Sequence, residues 1–165
     1  GLPVFATMTF DTAGRSMMGI TPEDYAGYAR KLGLNGFGAN CGIGPAELLH
    51  SVTGFGEGGE QMIIAKGNCG IPQYLDGKIH YHGTPELMAS YAVLARDAGA
   101  LVIGGCCGTT PEHIKAMAEA LNSTPPGGRP DTDRLETELG IAWKDVPASP
   151  VGSNSRPRRR RRSAA

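Results

Sequence analysis

The sequence lacks any apolar run of the roughly 20 residues that a membrane-spanning helix needs, and no secretory signal is visible in it. A cytoplasmic chain with no membrane partner is the expectation. It holds only four cysteines, Cys41, Cys69, Cys106 and Cys107, and no C-x-x-C pair, so the zinc-ribbon pattern is excluded. A disulfide framework is disfavoured too, because such frameworks belong to small exported chains and adjacent cysteines are badly placed to bridge one another. No G-x-G-x-x-G follows a strand-like run, which removes the simplest argument for a dinucleotide-binding fold. Positive charge is scarce in the body of the chain. Six of the 16 Lys and Arg residues fall in the last ten positions (Arg156 and Arg158 to Arg162), leaving 10 bases against 16 acids in residues 1–155. The Arg run has no interleaved aromatics and follows an acidic body, so nucleic acid is disfavoured as a partner despite the charge.

What is plentiful is glycine, at 25 residues, about twice the usual share, and a repeated strand–helix rhythm. "PVFATMTF" (3–10) is an apolar, β-prone run. "TPEDYAGYARKLG" (21–33) reads as a helix with Thr21 as N-cap, Pro22 at the first helical position and Gly33 as the stop. "LNGFGAN" (34–40) is a strand, and "GPAELLHSV" (44–52) a short helix opened by Pro45. "QMIIAKG" (61–67) is a strand, and "TPELMASYAVLARDAGA" (84–100) carries Leu87, Tyr91, Leu94, Ala95 and Ala98 at helical spacing. "LVIGG" (101–105) and "TPEHIKAMAEALN" (110–122) complete the series. Four strand–helix units, with no hairpin expected between neighbouring strands, predict an α/β fold built on a parallel sheet. An open doubly wound sheet and half of a (β/α)₈ barrel both fit. The expected organisation is a strand–helix domain over 1–123, a polar extension over 124–150 in which "RLETELGIAW" reads as one short helix, and a disordered Arg-rich tail over 151–165.

In parallel α/β folds, functional groups gather at the carboxyl ends of the strands. Cys41 follows the second strand in "GFGANCG", Cys69 the third in "IIAKGNCG", and Cys106 and Cys107 the fourth in "LVIGGCCG". All four thiols are therefore expected on one rim, together with Thr7 and Thr9 from the end of the first strand. Soft thiolates favour zinc, and three protein ligands with one open position are the mark of a catalytic zinc site. Neighbouring side chains in a regular strand point to opposite faces. Cys106 and Cys107 can converge only if the chain leaves strand geometry, which Gly104, Gly105 and Gly108 permit. On spacing alone, buried inert thiols explain the cysteines about as well as ligands do, and for Cys69 the buried reading is the stronger. The four histidines show no ligand spacing. His113, in the first turn of a helix, is expected at the surface, and His80 and His82 fall in a loop.

"GFGANCGIGPAEL", "IIAKGNCGIPQY" and "VIGGCCGTTPEHIKAMAEAL" resemble, in order and spacing, the homocysteine-binding domain of the zinc-dependent homocysteine S-methyltransferases. The opening "LPVFATMTFDTAGRSMMGITPEDY" resembles that family's fifth barrel strand and following loop. "DGKIHYHGTPELMASYAVLARDAGA" is most similar to the bacterial betaine–homocysteine methyltransferases. The resemblance implies a (β/α)₈ barrel of which these four units are the C-terminal half. It implies zinc as the cofactor, held by Cys41, Cys106 and Cys107, and leaves Cys69 without a ligand role. It implies homocysteine as the methyl acceptor, betaine or a related compound as donor, and methionine as product, with Asn40 and Thr9 as substrate-binding candidates and no catalytic group beyond the zinc ligands. The homocysteine module of a cobalamin-dependent methionine synthase is the alternative within the family. The family's acidic residues for the substrate amino group lie in the first half-barrel, so weak or no turnover is expected of this chain alone. A half-barrel also exposes two sheet edges, which a homo-oligomer or a complementary half would cover.

Overall fold

The structure is a computed structural model and describes residues 1–57, 59–140 and 142. The last part of the polar extension (143–150) and the Arg-rich tail expected over 151–165 lie outside the described residues.

Three helices open as their Thr-Pro-Glu sequences require. Proline at the first helical position lacks only an N–H that has no intrahelical partner there. In α1 (Pro22–Lys31) and α3 (Pro85–Asp97), Thr21 and Thr84 accept the amides of Asp24 and Leu87. In α4 (Pro111–Ser123) the pairing runs the other way as well: the Thr110 amide donates to His113 Nδ1 at 3.1 Å. The shorter α2 (Pro45–Gly54) has Gly44 as N-cap and no side-chain cap.

Four strands form one parallel sheet: β1 (Phe5–Met8), β2 (Gly36–Cys41), β3 (Met62–Gly67) and β6 (Ala100–Gly105), adjacent in the order β1-β2-β3-β6. The α/β class and parallel sheet expected from the strand–helix rhythm are present. Strand alternation gives the sheet two faces. Phe37, Ala39, Ile63 and Ala65 turn to the helices and join Leu49, Val52, Met88, Tyr91 and Leu94 in the core. At one end of this core Phe10, Tyr25, Phe37 and Phe55 meet in tilted and edge-to-face pairs, with centroids 5.5–6.2 Å apart; the edge-to-face pairs have the geometry that the ring quadrupole favours.

The opposite face is built in rows set by the register. Phe5, Gly36 and Met62 form one row, and Thr7, Gly38, Ile64 and Val102 the next. Asn40, Lys66 and Gly104 form the row nearest the strand ends, with Thr9, one residue past β1, donating its hydroxyl to the Asn40 carbonyl. Phe5, Met62 and Val102 remain more than 40% exposed here. Gly38 has no room for a side chain: a Cβ would lie 1.9 Å from the Ile64 carbonyl oxygen.

Two expectations are corrected. A hairpin, β4 (Pro72–Leu75) and β5 (Lys78–Tyr81), stands between β3 and α3 as a separate antiparallel pair. Its turn is Asp76-Gly77, with φ of 50° and 78°, the left-handed pair that a two-residue hairpin turn needs. The main sheet stays wholly parallel because the hairpin lies outside it. His113 is not at the surface but 8% exposed, because the loop after β3 and the chain leaving the hairpin close over it. Beyond α4, helix α5 (Thr132–Leu139) packs on α2 and α3, with Leu135 1% exposed in the same core. Asp97 fastens that extension, accepting from the Gly127 amide and pairing with Arg96 and Arg134.

Candidate metal centre

Cys41, Cys106 and Cys107 come together at the carboxyl ends of β2 and β6, with all three sulfurs within 4.8 Å of one another. The Cys106 and Cys107 sulfurs are 4.0 Å apart. Tetrahedral Zn–S bonds of 2.3 Å put ligand sulfurs about 3.8 Å apart, so the trio fits a zinc ion with small adjustments. Three thiolates outweigh a divalent charge by one and leave one position for another ligand.

The convergence has a local cause on each strand. Alternation along β2 would put Cys41 opposite Asn40, on the helix side. Cys41 instead adopts φ of 56°, an uncommon conformation for a side-chain-bearing residue, and the following Gly42 is also left-handed at 78°. This twist brings its sulfur back toward the open face. On the other side β6 ends at Gly105, where a Cβ would lie 2.2 Å from the Thr109 hydroxyl oxygen. Gly108, at φ of 77°, lies so close under the Tyr81 ring that a Cβ would be 2.3 Å from its Cγ. Between these two glycines the chain leaves strand geometry and presents Cys106 and Cys107 together. Of the three glycines expected to permit this, Gly104 has no such close contact.

Hydrogen bonds hold the two loops in register. The Cys106 amide donates to Gly67 O at 2.8 Å, continuing the ladder. Asn68, 5% exposed, spans both ligand loops: its Nδ2 donates to Gly42 O at 2.6 Å and its Oδ1 accepts the Cys107 amide at 3.1 Å. Under the sheet end, the fully buried Tyr91 hydroxyl accepts the Gly67 amide at 3.0 Å and donates to Gly104 O at 3.4 Å; burial pushes its phenol up. No spacing signal marks Asn68 in the sequence, and Tyr91 reads there as part of the apolar stripe.

The thiols interact electrostatically. For Cys41, burial acts to raise the pKa, but contacts with Cys106, Asn40 and Cys107 and the positive charge of Lys66 prevail, and the thiol lies below its ordinary value. The Asn40 amide donates to its sulfur at 3.2 Å. Cys106 is pushed up to about 11 by burial and by the adjoining Cys41 and Cys107. Three close thiols cannot all ionise cheaply without a cation among them.

Cys69, expected on the same rim, points away from the trio and is fully buried. Its sulfur lies 3.0 Å from His113 Nε2 and 3.1 Å from Gly83 O. Since His113 Nδ1 accepts from Thr110, the neutral ring carries its proton on Nε2, facing Cys69 and, at 3.2 Å, Gly83 O. Burial raises the Cys69 thiol. His82 pairs with Gln73 on the hairpin at 2.7 Å. A groove of about 520 Å³ between α2, the hairpin and α5 is lined by Glu47, Gln73, His82 and Leu139, and by none of the thiols. The thiol trio sits instead on the uncovered face of the sheet. Among the described residues no helix is long and apolar enough to cross a membrane.

A parallel α/β chain with three convergent thiols where its strands end defines a class: an α/β protein whose sheet rim carries a thiol cluster that could hold a soft metal ion. The family model for homocysteine S-methyltransferases matches residues 1–121, and the chain belongs to that family. It is 30% identical over 154 residues to a methionine synthase of Mycobacterium leprae (strain TN), an alignment that takes in 87% of this chain and 13% of that relative. The chain thus spans about an eighth of the length of this curated relative.

Proposed function

We propose that the chain supplies the C-terminal four strand–helix units of a (β/α)₈ barrel that transfers a methyl group to the thiol of homocysteine, giving methionine, in the cytoplasm. The observation that carries this reading is the convergence of Cys41, Cys106 and Cys107 in a chain of the homocysteine S-methyltransferase family. These three residues would hold zinc. Zinc bound there lowers the pKa of a substrate thiol, ordinarily near 8.5, and so makes the nucleophilic thiolate available at neutral pH.

The protein's own groups set up that chemistry. Asn40 donates to the Cys41 sulfur and so fixes one ligand; groups of this kind orient metal ligands and tune their basicity. Thr9 and Asn40 lie in the uppermost row of the open face, where a substrate approaching the thiols would pass. Asn68 keeps the two ligand loops at one spacing. Betaine or a related onium compound is the donor suggested by the resemblance of the hairpin and α3 to bacterial betaine–homocysteine methyltransferases. The likeness to a methionine synthase favours a second reading, the homocysteine module of a cobalamin-dependent enzyme.

The test is methionine formation from homocysteine by the chain co-expressed with the four upstream units of a full-length family member, with betaine and methylcobalamin offered separately. Methionine made with one donor and abolished by Cys107→Ser supports the reading and selects the donor. A zinc-loaded assembly that makes methionine with neither refutes it. The chain alone is expected to show weak or no turnover.

A further inference from the structure

The open-face row next to the thiols contains a cation. Lys66 lies on β3, the strand between the one that carries Cys41 and the one that leads into Cys106. Its register partners are Asn40 on β2 and Gly104 on β6. Ile63 and Ala65 face the helices and are buried in the core, so alternation places Lys66 on the opposite face. It is exposed there. The neighbouring Gly104 offers no side chain, and the Lys66 stem runs past it: a Cβ at Gly104 would meet Lys66 Cγ at 3.8 Å. None of the ion pairs among the described residues involves Lys66. The ammonium is close enough to Cys41 for its charge to favour the thiolate there.

Such a position has a cost unless the charge is used. An unpaired ammonium on the inner side of a sheet, once the face is covered, loses water and needs an anion. The rest of the row, Thr9, Asn40 and Gly104, is neutral and uncrowded. An α-amino-acid thiol offering its sulfur to the cysteines carries its carboxylate only a few bonds away, within the sweep of a lysine stem from the adjacent strand.

From this placement we infer that Lys66 is the carboxylate-recognising residue of the site and sets its preference for amino-acid thiols over simple alkyl or aminoalkyl thiols. The inference rests on the reading of the trio as a metal centre that receives a thiol substrate.

The test uses the chain loaded with cobalt(II), whose thiolate absorption reports both metal binding and arrival of a further thiol. Homocysteine and 3-aminopropane-1-thiol, which differ by the carboxylate alone, are titrated into the wild type, Lys66→Met and Lys66→Arg. The expected result is a loss of homocysteine affinity of about tenfold or more in Lys66→Met, the scale of one charge-assisted hydrogen bond. The aminothiol should change by less than about twofold, and Lys66→Arg should keep most of the discrimination. Equal loss for both thiols, or none for either, overturns the inference while the cobalt–thiolate absorption leaves the metal centre standing. Absence of that absorption in the folded wild type overturns the metal reading and the inference with it.

Discussion

Cys107 and Cys69 are joined by a backbone hydrogen bond of 2.9 Å, yet their side chains live in opposite surroundings. Cys107 is exposed and lies with the thiols of Cys41 and Cys106, the first of which has an asparagine amide and a lysine charge beside it. Cys69 is fully buried, with a neutral imidazole and a carbonyl as partners. The first setting makes ionisation achievable for one thiol and asks for a cation to complete the rest. The second satisfies a neutral S–H and penalises the thiolate. What separates a candidate ligand from a packing residue here is the direction of the side chain at the strand end and the company it keeps, not its position along the rim.

The comparison can be broken or sharpened in several ways. The largest effect should come from metal protection. Zinc loading should abolish iodoacetamide labelling of Cys41, Cys106 and Cys107, and chelation should restore it, while Cys69 stays unlabelled in both folded forms; labelling is read by peptide mass. Next, Asn68→Ala, which unties the two ligand loops without touching a thiol, should weaken zinc binding by about 10–100-fold, the scale seen for groups that orient metal ligands; competition with a chromogenic chelator measures it. A smaller effect separates the thiols within the trio. Labelling follows the thiolate fraction, and Cys41 lies below its ordinary value while Cys106 is raised to about 11. In the metal-free chain near pH 8, Cys41 should therefore react about tenfold or more faster than Cys106, with the gap closing as pH rises toward 11. The smallest effect concerns the buried pair: Cys69→Ala should cost about 1 kcal/mol of stability, one ordinary hydrogen bond, and leave zinc affinity unchanged, as denaturant melts and the same competition would show.

The outline of the fold was readable because local signals agreed. Each Thr-Pro-Glu marks a helix start, and each apolar run before a glycine-rich loop is a strand of the parallel sheet. Cys41, Cys106 and Cys107 could be singled out only through the resemblance of their motifs to the family's, since spacing alone left buried thiols as good an explanation; the need for a break in strand geometry could be argued from the adjacency of Cys106 and Cys107. The break at Cys41 could not, since nothing in "GANCG" announces a left-handed cysteine. The Asp76-Gly77 turn was a legible hairpin signal, but its strands are four residues long, mostly exposed and weakly alternating, so the run looked like loop. His113 was misplaced because a first-turn position usually faces solvent; its burial depends on Cys69 and Gly83, 44 and 30 residues away. Asn68 escaped for the same reason, as its bonds to Gly42 and Cys107 join loops that only the folded sheet brings together.

The most direct test of the thiol centre is zinc content per folded chain, measured on reduced wild type beside Cys106→Ser and Cys69→Ser. About one zinc in the wild type and in Cys69→Ser, with none in Cys106→Ser, is the predicted result. A folded, monodisperse wild type without zinc, or a Cys106→Ser chain that retains it, would contradict the assignment of the three cysteines.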